Sequence, residues 1–219
     1  MTAKVFISAG TPANDAQRQF RDTVVKTVET AGLTPRLMTD RDWDYKNPLR
    51  GLRRAMDGCT GAVVVAYTRY QIDSGTEVRS DEPKSIDETL FPTAWNQIEA
   101  AMAYEKEMPL FVVAQTGIKK DAIFEESGDI KPFWTDLDPE VCTTDGFIGY
   151  LQSWKEDVEK NAERIRNEQN TINDKKINLI GLFNALSWNE GLALIGSLVG
   201  LILSALTIGY RLGSGEWPF

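Results

Sequence analysis

Trp95 and Glu99 are the residues of this sequence whose types and spacing point most directly to chemistry. They lie one helical turn apart near the start of a predicted helix, so their side chains leave the helix on the same side. The helix dipole at that end favours the ionised form of the Glu99 carboxylate. If Glu99 faces solvent it is an ordinary surface residue, and if it faces a cleft it could act on a bound molecule. The fold around this helix decides between the two.

The absence of histidine restricts the chemistry further. Without histidine the chain has no Ser-His-Asp or Cys-His nucleophile, no histidine metal site and no histidine general base. Catalysis would depend on carboxylates, backbone amides, hydroxyls or the side chains of lysine and arginine, and we expect no bound metal. Cys59 and Cys142 lie in apolar contexts and are expected to be reduced core residues.

Length and charge indicate the class of protein. A chain of 219 residues is long enough for one well-cored domain with an appendage. Its formal net charge is −8, and it contains no run of four basic residues. A surface that neutralises phosphates needs an excess of lysine and arginine, so this composition argues against a nucleic-acid partner.

Residues 1–145 alternate short β-branched runs with amphipathic helical segments, which is typical of βαβ units and a parallel sheet. The runs AVVVA and LFVVA are apolar throughout, as strands buried on both faces are. We therefore predict an α/β domain with a flavodoxin-like parallel sheet and helices on both faces. The polar, acidic stretch 71–90 shows no periodicity and is predicted to be a long loop.

The carboxyl ends of the predicted strands mark the candidate site. Ligands of a doubly wound sheet bind in the crevice outside these ends. In this sequence the segments Ser8–Gly10, Thr39–Asp44 and Tyr67–Tyr70 meet there, together with the first turns of the helix that carries Trp95 and Glu99. We therefore expect Glu99 to face the ligand edge of the sheet.

Four stretches of the sequence resemble Toll/interleukin-1 receptor (TIR) domains. They are VFIS in the first strand, the charged loop DRDWD after the second, LRRAMDGCTGAVVVAYTRY, and TAWNQIE. TIR domains carry Ser-x-Trp with a glutamate four residues after the tryptophan, and Thr93, Trp95 and Glu99 match that spacing with Thr in place of Ser. The resemblance covers residues 1–145. FISAGTPAND departs from the usual Ser-Tyr-Ser-x-x-Asp start, and the acidic stretch 71–90 is longer than usual.

The same outline is similar to nucleoside deoxyribosyltransferases, which also act on N-glycosidic bonds. Together the two resemblances imply cleavage of such a bond, with NAD as the substrate and no cofactor. The nicotinamide of NAD is a cationic leaving group that departs neutral, so its departure needs no general acid. The oxocarbenium-like ribose needs negative charge beside it, and one carboxylate can supply that charge.

The resemblance implies roles for named residues. Glu99 would be the catalytic residue of an NAD+ glycohydrolase, a toxic effector that depletes NAD as bacterial TIR proteins of antiphage defence do. Asp42 and Trp43 would lie in a loop that either covers the nucleotide or forms the contact through which TIR domains assemble, and we favour assembly. The residues expected to contact NAD or a related nucleotide are Ser8, Gly10, Trp43, Arg69 and Trp95.

The chain after residue 145 has a different character. A charged helix is predicted over 146–176, in which Leu151 and Val158 belong to an apolar series that repeats every seven residues. The complementary positions are mostly polar, which favours one stripe resting on the domain or a neighbour over a coiled coil. Residues 177–190 are predicted to form an amphipathic interfacial helix.

Residues 191–210 contain no charge and would span about 30 Å as a helix, the thickness of one hydrocarbon core. We predict a single-pass transmembrane helix here, which places the chain in the inner (cell) membrane with its N-terminal domain in the cytoplasm. Gly196, Gly200 and Ser204 recur at a spacing that lets helices approach closely, which predicts a homo-oligomer on activation.

A second function stays open from the sequence. The α/β domain could sense a nucleotide signal without cleaving it, and an oligomerising transmembrane tail would then disrupt the membrane. The two hypotheses differ in what the tail does. An anchor needs only hydrophobicity, whereas a disruptive tail needs its small-residue face and the amphipathic segment 177–190.

Overall fold

The computed structural model describes residues 2–78, 82–125, 130–185 and 188–214. For 173–185, 188–191, 194, 195, 198 and 212–214 the description is limited to the backbone. The chain forms two compact units, Met1–Arg164 and Ile165–Phe219.

The first unit contains all the strands of the described chain. They are β1 (Lys4–Ala9), β2 (Thr34–Leu37), β3 (Gly61–Ala66), β4 (Tyr70–Ile72), β5 (Gly75–Glu77), β6 (Lys84–Ile86), β7 (Thr89–Phe91), β8 (Leu110–Gln115) and β9 (Phe133–Thr135). The α-helices are α1 (Asp15–Thr30), α2 (Pro48–Met56), α3 (Ala94–Glu105), α4 (Asp145–Ala185) and α5 (Trp188–Ser214). Short 3-10 helices cover Ala122–Phe124 and Pro139–Thr143.

Five strands form the central sheet in the order β2-β1-β3-β8-β9, and every neighbouring pair is parallel. The predicted α/β fold with a central parallel sheet is confirmed. In the register of the sheet, Val64 of β3 lies between Ser8 of β1 and Val112 of β8. Strand β9 was not predicted, because its three residues, FWT, are too few to show a pattern.

The central strands supply a core on each face of the sheet, because successive side chains of a strand point to opposite faces. Val63 packs in a cluster with the apolar stripes of α1 and α4. Its neighbour Ala62 packs on the other face with Leu52 of α2 and Ala103 of α3. Burial of a leucine or phenylalanine stabilises a fold by about 1.5–3 kcal/mol. These two clusters therefore hold the helices against both faces of the sheet.

The stretch predicted to be a structureless loop forms short antiparallel ladders, so that prediction was wrong. β4 pairs with β7 and β5 pairs with β6, and we call the whole of Tyr70–Phe91 the acidic arm. Each strand has only three residues, and Tyr70 and Val78 are largely exposed. A ladder this short that rests on little core shows no alternating apolar pattern in the sequence.

The first compact unit continues into α4, beyond the predicted domain end at residue 145. Leu151 and Val158 are buried against the sheet, as a single apolar stripe resting on the domain requires. Two polar groups of the same helix join it to the strand ends: Trp154 Nε1 donates to Pro109 O at 3.0 Å, and Asn161 Nδ2 donates to Thr60 O at 2.9 Å. The start of the predicted linker helix is thus part of the α/β unit.

The prediction of a transmembrane helix over residues 191–210 has to be corrected. Of the helices in the described part of the chain, none is both long enough and apolar enough to cross a bilayer. Within α5, glycine, serine and threonine residues separate the apolar side chains, which lowers the mean hydropathy below that of a continuous leucine and isoleucine run. The predicted inner-membrane localisation rested on this helix and is corrected with it. The side chains of the predicted interfacial segment 177–190 lie outside the described residues.

Candidate active site

A cleft of about 590 Å³ opens at the carboxyl ends of β1 and β3. After β1 the chain turns into α1 on one face of the sheet, and the chain after β3 reaches α3 on the other face. A crevice forms where neighbouring connections leave a parallel sheet on opposite faces. The cleft is lined by Ala9, Gly10, Thr11, Met38, Thr39, Asp40, Trp43, Arg69, Tyr70, Thr93, Ala94, Trp95 and Glu99.

Glu99 lines this cleft and is half-buried, so it is not an ordinary surface residue. Burial raises the pKa of its carboxyl to about 7, and a hydrogen bond with the side chain of Ser8 opposes that rise. The expectation that the helix dipole keeps this carboxylate ionised was therefore wrong. Glu99 lies in the second turn of α3, and the dipole acts mainly within the first turn, so desolvation dominates.

Beneath Glu99, the side chain of Asn96 joins α3 to the sheet. Asn96 is 2% exposed, and its Nδ2 donates to Ser8 Oγ at 3.2 Å and to the carbonyl oxygen of Val65 at 3.4 Å. Its Oδ1 accepts from the hydroxyl of Thr93 at 3.0 Å. Asn96 was missed in the sequence. The available signal is its spacing from Thr93, the N-cap residue of α3, whose side chain accepts from the backbone N–H of Asn96.

Ser8 does not line the cleft, although it was expected to contact a nucleotide. Its side chain is 1% exposed and lies under Glu99, between β1 and α3. Ser8 can therefore reach a ligand only through Glu99.

Trp43 and Trp95 form one wall of the cleft. Their ring centroids lie 5.5 Å apart and their planes meet at 86°, an edge-to-face contact. Trp43 keeps 48% of its surface exposed. The structure thus places Trp43 at the cleft mouth, beside the helix that carries Glu99.

Asp42, the other residue of the predicted assembly loop, turns inward. It accepts hydrogen bonds from the backbone N–H and hydroxyl of Thr39, at 2.7 and 2.8 Å, and pairs with Arg36. Desolvation raises the pKa of Asp42, but the bonds from Thr39 and Arg36 outweigh it and hold the pKa below its usual value. A Cβ added to Gly51 would come within 2.3 Å of Asp42 O, so the loop lies directly on α2. Asp42 therefore fixes the shape of the loop that presents Trp43.

Gly10 allows β1 and α3 to approach closely at the cleft floor. A Cβ at this position would lie 2.9 Å from the Thr93 methyl group. The Gly10 carbonyl accepts a hydrogen bond from the hydroxyl of Tyr67. Burial raises the pKa of Tyr67 to about 12, which keeps this phenol a neutral donor.

Charged side chains of both signs line the cleft. Asp40 and Arg69 are both exposed, and Arg69 leads into the acidic arm, where its backbone N–H donates to Phe91 O at 2.8 Å. A guanidinium group is a strong ligand for phosphate oxygens. Asp40 and Tyr70 were not predicted as site residues, because only the fold brings them to the cleft.

The small residues Gly196, Gly200 and Ser204 belong to the second unit. A Cβ added to either glycine would meet no atom of the described chain within 4 Å, beyond the helix itself. The Ser204 hydroxyl donates to Gly200 O at 2.8 Å within α5.

Within the described residues, no group of three or more Cys, Asp or Glu side chains could hold a metal ion. The chain matches no model of a known protein family, and its sequence matches no curated protein.

Proposed function

We propose that the chain cleaves the N-glycosidic bond between nicotinamide and ribose in NAD+. The observation that carries this proposal is the half-buried Glu99 carboxylate in a cleft walled by Trp43 and Trp95. A carboxylate in that setting can stabilise positive charge as it develops on the ribose. It needs no histidine and no metal partner.

The cleft suits each part of this substrate. The indole rings of Trp43 and Trp95 offer aromatic faces and edges to the cationic pyridinium ring. Arg69 offers a guanidinium to the pyrophosphate. The nicotinamide leaves as a neutral molecule, so Glu99 acts as an ionised group throughout and transfers no proton to it.

We also propose that the domain is TIR-like. The strand order β2-β1-β3-β8-β9 supports this assignment, since it is the order of doubly wound sheets of the flavodoxin type. The Thr93-Ala94-Trp95 run with Glu99 four residues on supports it as well, now that these residues lie in one cleft. An NADase of this kind acts as a toxic effector, because depletion of NAD stops the cell that contains it.

Self-association on activation remains a prediction. Leu201, Leu203 and Leu206 of α5 are 69%, 58% and 64% exposed, and exposed apolar surface of this kind marks interaction sites. We propose that copies of the chain associate through α5, where Gly196 and Gly200 leave room for a second helix. Leu203→Glu with Leu206→Glu should then lower the sedimentation coefficient of the full chain, and an unchanged coefficient would argue against this contact.

The test of the enzymatic proposal is to incubate the full chain with NAD+ and measure release of nicotinamide, beside the Glu99→Gln variant. Release by the wild type and not by the variant supports the proposal. Binding of NAD+ without release would instead favour a nucleotide sensor.

A further inference from the structure

The buried hydrogen bonds beneath Glu99 determine which way each polar group points. The Val65 carbonyl can only accept, so the atom of Asn96 that faces it must be the amide nitrogen. The oxygen of the same amide then faces Thr93, whose hydroxyl donates to it. The orientation of the Asn96 side chain is thereby fixed by two partners rather than chosen between two equivalent flips.

This orientation has a consequence for Ser8. Because Asn96 Nδ2 donates to Ser8 Oγ, the Ser8 oxygen acts as an acceptor toward α3. A serine hydroxyl has one proton, and that proton is left to be donated elsewhere. The Glu99 carboxylate is the acceptor with which the Ser8 side chain forms a hydrogen bond.

We propose that Asn96 and Ser8 are positioning residues for Glu99: Asn96 holds the Ser8 oxygen, so that the Ser8 hydroxyl donates its proton to the Glu99 carboxylate and stabilises the ionised form. Hydrogen bonds to a charged group are stronger than neutral ones, so a single donor at this place has a large effect. The network is covered by α3, with Asn96 2% and Ser8 1% exposed, so water does not compete for the same atoms.

Other groups around Glu99 bear on its ionisation as well. Asp40, from the loop after β2, and Arg69, after β3, line the same cleft with opposite charges. Tyr70 opens the acidic arm, and the Tyr67 hydroxyl is engaged with Gly10. None of these four side chains is altered in the variants below, so their influence stays constant across the comparison.

The inference rests on the proposed function only for its effect on catalysis, and it can be tested without catalysis. The full chain is labelled with 13C at glutamate carboxyls, and the Glu99 resonance is assigned by its absence in Glu99→Gln. Titration of that resonance is then compared in wild type, Ser8→Ala and Asn96→Asp. We expect its midpoint to rise in both variants, because each removes the donated proton.

The control is Asn161→Asp, the same change at another buried asparagine, which bonds Thr60 O at the opposite edge of the sheet. It should lower stability without moving the Glu99 midpoint. Ser8→Ala keeps the test decisive if Asn96→Asp does not fold. In an NAD+ assay, Ser8→Ala should reduce nicotinamide release about tenfold at pH 6.5 and little at pH 9.

An unchanged Glu99 midpoint in a folded Ser8→Ala protein would overturn the inference, whatever the activity. A raised midpoint in a chain that releases no nicotinamide would support the positioning network and contradict the proposed function. The two failures are therefore distinguishable.

Discussion

The indole rings of Trp43 and Trp95 meet edge to face, with centroids 5.5 Å apart, and so join the loop after β2 to the helix that carries Glu99. Asp42 holds that loop from within through Thr39 and Arg36. The two residues once grouped as an assembly contact therefore have different positions. Trp43 faces the cleft, and Asp42 supports it.

Replacing Trp43 with alanine should weaken substrate binding. The contact removed is an aromatic pair worth about 0.5–1.5 kcal/mol beyond its buried area, so we expect KM for NAD+ to rise roughly threefold to tenfold, with kcat less affected. Trp43→Phe should restore part of the loss. Tyr45→Ala is the matched control, since Tyr45 lies in the same loop and is 87% exposed. Steady-state kinetics of the full chain measure each effect.

Assembly gives the opposite expectation for the same variant. If Trp43 acts mainly between copies of the chain, Trp43→Ala should lose activity at low protein concentration and regain it in a crowded solution. Recovery of that kind, with KM unchanged, would contradict a role for Trp43 in the cleft.

Gly10→Ala should distort the cleft floor. The new methyl group would lie 2.9 Å from the Thr93 methyl group, and Thr93 cannot turn away without breaking its bond to Asn96. We expect the free energy of unfolding to fall by about 1–3 kcal/mol, as overpacking costs, and nicotinamide release to fall with it. Gly146→Ala serves as control, because a Cβ there meets no described atom within 4 Å and alanine favours the helix. Urea denaturation of both variants checks this, and equal stability would contradict it.

The raised pKa of Glu99 predicts a pH-dependent stability difference. Folding raises this pKa from 4.5 to about 7, so the folded state binds more protons than the unfolded state between those values. Stability that the neutral carboxyl provides at low pH is therefore lost as pH rises through 7. Glu99→Gln carries no such penalty and should be more stable than wild type above pH 8, on the order of 3 kcal/mol, and similar to it near pH 4.5. Urea denaturation at the two pH values measures the difference, and a gap that does not grow with pH would show that Glu99 is not desolvated.

Much of the first unit could be predicted from the sequence, because its strands are long and apolar. Val63 and Val112 lie in runs that only a buried parallel strand explains, and the strand ends then locate the cleft. The Trp95 and Glu99 spacing placed both side chains at that edge for the same reason.

The remaining features depend on tertiary contacts that no local pattern records. Burial of Glu99 outweighs its position on the helix dipole, and the partners of Asn96 come from β1 and β3, far along the chain. The acidic arm has ladders too short to show alternation. The apolar character of residues 191–210 was read as a membrane span, which the described helices do not support.

The most direct test of the central claim is the rate of nicotinamide release from NAD+ by the full chain at high protein concentration, compared with Glu99→Gln under the same conditions. The amide keeps the shape of the side chain and removes its charge, so the fold should survive. We expect the wild type to consume NAD+ and the variant to be slower by at least about a hundredfold, the scale of losing one group that stabilises transition-state charge. Release of nicotinamide by Glu99→Gln at the wild-type rate, or none by a folded wild type, would contradict the assignment of Glu99 as the catalytic carboxylate.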